Sequence, residues 1–138
     1  QKEPDADTLG WGLHLARLAK AVNPDSHAAL LAEARLLLRT GERDAALAVL
    51  EDVREGKRGS GDEEDAWYVA NKLLADLYLE RNLYDHAIAC LTDYRDYQRS
   101  GADTLYRLGE AYEAKGDTRA ALQSYELVTA YQNHPRYW

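Results

Sequence analysis

Four residues, Ala75, Tyr78, Ala87 and Leu91, recur as Gly109, Tyr112, Ala121 and Tyr125, each 34 residues further on. A fixed period of this length is the mark of a supersecondary unit that cannot bury its apolar face alone and must stack on its neighbours. Such a stack makes surfaces for binding rather than an enclosed catalytic pocket. The spacing within each block fits a pair of antiparallel helices. A small residue followed three positions later by an aromatic puts both on one helical face, where the small residue lets a second helix approach and the ring fills the gap. Ala87 and Ala121 come twelve residues after that small residue, at the expected closest contact on the second helix, and Leu91 and Tyr125 close the layer.

In these residues the chain resembles the tetratricopeptide repeat family. The pattern is carried by Leu105, Leu108, Gly109, Tyr112, Ala121 and Tyr125, with Leu105 in place of the family's first aromatic. The preceding copy reads Asn71, Leu74, Ala75, Tyr78, Ala87 and Leu91, and Asn82 takes the place of the inter-helix Gly116. Asparagine also tolerates a left-handed turn. Tyr84, just after that turn, meets another family preference. A more degenerate copy lies upstream, because Ala34, Leu37, Gly41, Ala46, Leu50 and Val53 precede Ala75, Tyr78, Asn82, Ala87, Leu91 and Tyr94 by 41 residues each. In that copy Glu33 stands where the family prefers Leu. The seven extra residues are assigned to residues 55–65, EGKRGSGDEED, a Gly-rich charged stretch expected to form an extended solvated loop.

The resemblance implies an all-α right-handed α-solenoid of antiparallel helix pairs. Helices are expected near 8–22, 27–40, 43–55, 65–81, 84–98, 102–115 and 118–132. Residues 1–26 would form a tail and a packing helix, and residues 27–135 three repeats: 27–60 with an insertion to 67, 68–101 and 102–135. Residues 136–138 would begin a following segment. Asn23-Pro24-Asp25-Ser26 breaks the first apolar stretch and offers Asp25 or Ser26 as an N-cap. Ser100-Gly101 ends a helix, and Asp103 favours the next through its charge. The chain begins at Gln1 and has no methionine, the expectation for an excised piece of something longer whose uncapped ends could support self-association.

At 138 residues, 46% apolar and 30% charged, the chain reads as one globular domain. His14, Arg17 and Lys20 interrupt the first helix before it reaches membrane-spanning length. A net charge of -7 argues against nucleic acid, which needs a basic surface. Lys57-Arg58 is the nearest approach to a basic patch, and Asp62, Glu63, Glu64 and Asp65 cancel it. Cys90 is the single cysteine, so no intrachain disulfide or thiolate cluster exists, and its place beside Ala89 and Leu91 predicts burial. His14, His27, His86 and His134 lack zinc spacing, and Asp85-His86 reads as helix capping. Gly10 and Gly12 precede no phosphate-loop lysine and follow no strand. No nucleophile, base or metal constellation converges, so neither an enzyme nor a cofactor is expected.

Tyr78, Tyr112 and Tyr125 read as packing residues. The resemblance further implies that the first helix of each pair lines a concave wall. That wall would display Arg35 and Arg39, then Val69, Lys72, Asp76 and Glu80, then Asp103, Tyr106, Glu110 and Glu113. The face is graded from basic to acidic, and suits an extended or helical peptide of complementary charge. A simpler reading is a solvated face stitched by pairs such as Lys72 with Asp76. The chaperone-adaptor members hold a terminal carboxylate at slots that here read Leu31, Arg35, Leu73, Asp103 and Arg107. Only Arg107 agrees, leaving it able to anchor some other acidic group. The expected role is a protein-interaction scaffold with a protein or peptide partner, and the Ala-, Leu-, Arg- and Asp-rich makeup reads as bacterial. An architectural spacer, or a regulatory domain fused to an enzyme, are the alternatives.

Overall fold

The computed structural model describes residues 6–97 and 101–133. Among them are seven α-helices and no strand: α1 Ala6–Val22, α2 His27–Arg39, α3 Arg43–Glu55, α4 Asp62–Glu80, α5 Tyr84–Tyr94, α6 Ala102–Lys115 and α7 Thr118–Asn133. Two compact units divide at Ala70 and Asn71, so α4 gives residues to both. Ser100, His134 and the terminal 135–138 lie outside the described residues.

In the first unit α1 packs on α2 and α2 on α3. Its core holds Leu30, Leu31, Leu37, Leu50, Val53 and Trp67, with the small residues Ala34 and Ala46 fully buried. Glu33 is also buried, and its Oε2 lies 3.7 Å from Lys20 Nζ, an ion pair longer than a hydrogen bond. That pairing accounts for a carboxylate at a position expected to carry Leu. In the second unit α6 packs against both α5 and α7. Leu74, Leu91 and Leu108 form its centre, with Ala75, Ala87 and Ala121 buried at the small-residue positions, and Cys90 buried as a free thiol.

The turns between paired helices share one geometry. Gly41, Asn82 and Gly116 all have positive φ, at 82°, 60° and 97°. In each case the following residue donates its N–H five residues back: Glu42 to Leu37 O, Leu83 to Tyr78 O and Asp117 to Tyr112 O. The left-handed residue itself donates three residues back, to Leu38, Leu79 and Glu113. This is the Schellman arrangement, which satisfies helix carbonyls while reversing the chain. Tyr84 Oη donates to Asn82 Oδ1 at 3.0 Å and steadies the turn that lacks glycine.

Two helix limits depart from expectation. α4 begins at Asp62, so the acidic run 62–65 is its first turn rather than loop, where four carboxylates favour the positive end of the helix dipole. α5 ends at Tyr94, because Asp96 and Tyr97 donate three residues back, to Asp93 and Tyr94, and the tightened chain turns the Tyr97 ring inward to 5.7 Å from Tyr94. The shortened connection 56–61 is not a free solvated loop. Lys57 O meets His27 Nε2, the Arg58 guanidinium lies 4.9 Å from the Trp67 ring and 5.1 Å from Tyr68, and Trp67 Nε1 donates to Arg54 O at 3.3 Å. The Arg58 charge thus helps to hold the connection down, to which Lys57 contributes its backbone carbonyl.

Candidate functional site

The C-terminal half of α4 and the facing side of α6 enclose a concavity of about 680 Å³ in the second unit, lined by Asp76, Leu79, Glu80, Arg107, Glu110, Ala111 and Ala114. Helical spacing explains the set. Asp76, Leu79 and Glu80 follow at i, i+3, i+4 on α4, and Arg107, Glu110, Ala111 and Ala114 continue the same rhythm on α6. Leu79, Ala111 and Ala114 supply apolar surface, and the acids supply its sign.

Of the residues expected on a concave wall, the structure brings Asp76, Glu80, Arg107 and Glu110 together here. The Arg107 guanidinium bonds Asp76 Oδ1 directly. Arg107 is therefore not an open anchor for an incoming acid, and Asp76 is bonded from α6 rather than only stitched along its own helix to Lys72. Lys72 Nζ instead sits 5.8 Å from the centre of the Tyr94 ring. Tyr106 is exposed, with its ring 5.5 Å from Tyr125. Glu113 accepts the Tyr125 hydroxyl at 2.9 Å. Desolvation and that hydrogen bond push the Tyr125 phenol up to about 12. Arg35 and Arg39 lie exposed on α2 in the first unit, Val69 on α4 is half-buried, and Asp103 is exposed in the first turn of α6.

The Asp85-His86 pair does not cap α5. Its N-cap is Leu83 with no side-chain hydrogen bond, Asp85 pairs with Lys115 at 2.6 Å, and the His86 ring lies 5.1 Å from Tyr78. Hydrogen bonding to Asp85 raises the Lys115 ammonium above its usual value. Sequence reasoning also missed a cavity of about 770 Å³ in the first unit, beside the α1–α2 turn and the 56–61 connection. Its walls include Lys20, His27, Lys57 and Glu63, whose polar groups already hold Glu33, the connection and the start of α2. Among the described residues no cluster of His, Cys, Asp and Glu could hold a metal ion, and no helix is long and apolar enough to cross a membrane.

The tetratricopeptide repeat family matches residues 72–135, the stretch that contains the concavity and both turns of the second unit. This part of the chain consists of tetratricopeptide repeats. The structure is similar to the crystal structure of MamA, with a TM-score of 0.69 at 18% identity, covering 88% of this chain and 67% of that one. At that identity the likeness is one of fold. A comparison with the sequences of curated proteins finds no match. Tetratricopeptide repeats are modules that bind protein partners and are typically non-enzymatic, and this repeat protein is a protein-interaction scaffold in that general sense.

Proposed function

We propose that the second unit binds a basic peptide segment of a partner protein along the α4–α6 concavity, without catalysis, cofactor or nucleic acid, in the assembly of a bacterial protein complex. The observation that carries this is the charge inside the concavity. Asp76, Glu80 and Glu110 face it with Arg107, whose charge is already given to Asp76. Three carboxylates against one guanidinium leave the wall net acidic, which suits an incoming lysine or arginine, beside Leu79, Ala111 and Ala114 for its aliphatic stem. Preformed helices supply the surface, so the protein side of the contact costs little ordering. Lys72 and Tyr106 flank this recognition on the same two helices. In the first unit, Arg35 and Arg39 present a basic face suited to acidic residues of a partner.

Fluorescence anisotropy with a labelled Lys/Arg-containing peptide and its Glu-substituted counterpart tests the reading. Glu80→Lys with Glu110→Lys should weaken the basic peptide by roughly tenfold or more at low salt and remove most of its salt dependence, while Arg35→Glu with Arg39→Glu leaves it unchanged. Equal affinity for the two peptides, or no response to the double reversal, overturns it.

A further inference from the structure

Helix α1 is apolar on two opposite faces. Ala16 is buried on the side packed against α2, whereas Trp11, Leu15, Leu18 and Val22 are 68%, 60%, 50% and 88% exposed. Their spacing of four, three and four residues aligns them in one stripe along the helix, opposite Ala16. The stripe exposes on the order of 500 Å² of apolar side chain, as much as the largest patch on a typical monomer. It stands in the first unit and shares no residue with the α4–α6 concavity.

We infer that this stripe is a self-association surface, on which a second copy of the chain packs its own α1 antiparallel about a two-fold axis. The spacing reads the same in both directions. An axis passing between Ala16 and Arg17 therefore sets Trp11 against the second copy's Val22, and Leu15 against the second copy's Leu18. The largest residue meets the smallest and the two leucines meet each other, so the filled volume stays even along the seam. Residues beside the stripe are small or singly polar: Gly10, Ala19 and Ala21, with His14 edge-on to Trp11 at 6.2 Å between ring centres. Lys20 is turned away, paired with Glu33. Among the described residues no row of like charges lines the stripe, as a two-fold contact between identical surfaces requires. Two stripes together bury about 1,000 Å², at the low end for a specific interface and so the size of a reversible dimer rather than an obligate one.

Sedimentation velocity on the full chain from about 5 to about 300 µM should show a monomer–dimer equilibrium. Leu15→Glu and Leu18→Lys, both on exposed positions, should each weaken it by at least about tenfold with unchanged far-UV circular dichroism. In the antiparallel register Glu at 15 faces Lys at 18 of the other variant. An equimolar mixture of the two should therefore form a dimer that neither forms alone. A wild-type chain that stays monomeric overturns the inference and leaves the stripe to a helix of another protein. A dimer indifferent to both variants also overturns it and moves the contact elsewhere, and a mixture that stays monomeric overturns the antiparallel pairing.

Discussion

Helices α2 and α7 both start on an oxygen that accepts backbone N–H groups, but the oxygens come from different distances along the chain. In α7 the cap is local: Asp117 Oδ1 accepts from Ala120 N at 3.1 Å. In α2 the local part is Ser26 Oγ, which accepts from Ala29 N at 3.2 Å. The remainder comes from α4, where Glu63 takes His27 N at 2.6 Å, the Ser26 hydroxyl at 3.1 Å and Ala28 N at 3.3 Å. The second unit thus caps α7 from the residue next to it, while α5 and α6 start without a side-chain cap bond. The first unit uses an acidic side chain 37 residues from the cap it completes, together with a connection pinned by His27, Trp67 and Tyr68.

The largest loss is expected from the packing on which the second unit relies. A Cβ added at Gly109 would come within 2.4 to 2.8 Å of three ring atoms of Tyr125. Gly109→Ala must push that ring out of its place against Tyr106 and away from Glu113, and should cost about 2–3 kcal/mol by overpacking. Urea unfolding measures it, and Tyr125→Leu in the same chain should recover part of the loss by freeing the space. A change within error in Gly109→Ala would show that the α6–α7 contact is looser than the repeat pattern requires.

The long-range cap of the first unit comes next. Glu63→Ala removes three charge-assisted acceptor contacts at once and should cost about 1–2 kcal/mol. Burial works to raise the Glu63 carboxyl, but the hydrogen bonds from His27, Ala28 and Ser26 and the nearby His27 outweigh it, so its pKa falls below the usual 4.5. A carboxyl lowered on folding contributes stability that is complete above its unfolded pKa and disappears as the pH drops through the folded one. The gap between wild type and Glu63→Gln should therefore be constant near neutrality and shrink only below about pH 4.5. A gap that persists at the acid end would assign the effect to shape rather than charge.

The uneven legibility of the sequence follows the same division. Ser26 as a cap, the left-handed residue at Asn82 and the burial of Ala75, Ala87 and Cys90 were all readable, because each depends on neighbours within a few positions or on the repeat itself. The acidic run 62–65 reads as solvated loop when only its polarity is weighed. Its better signal was position, four acids directly before the apolar run Ala66-Trp67-Tyr68-Val69, which is how a helix start looks. Nothing local could announce that Glu63 would reach α2. The concavity shows the same limit. Asp76 and Arg107 are 31 residues apart, and Lys72 offered a closer partner in sequence, so only the packing of α4 against its neighbours decides which cation the carboxylate takes.

The smallest effects belong to the turns, where both units use one device and should respond alike. Gly41 and Gly116 have open space where a Cβ would stand, so replacing either by alanine tests the left-handed backbone alone. Each substitution should cost about 1 kcal/mol, the strain of an L side chain at positive φ. Asn82 already pays part of that strain at φ 60° and recovers some through Tyr84. Asn82→Gly should consequently change stability by only a few tenths of a kcal/mol, gaining backbone freedom and losing the tyrosine contact. Matched losses at Gly41 and Gly116 would mean that the upstream turn carries the same load as those inside the recognised repeat. A loss at Gly116 with none at Gly41 would mean instead that the first unit is held by the Glu63 cap and its pinned connection, with its repeat turn reduced to a passenger.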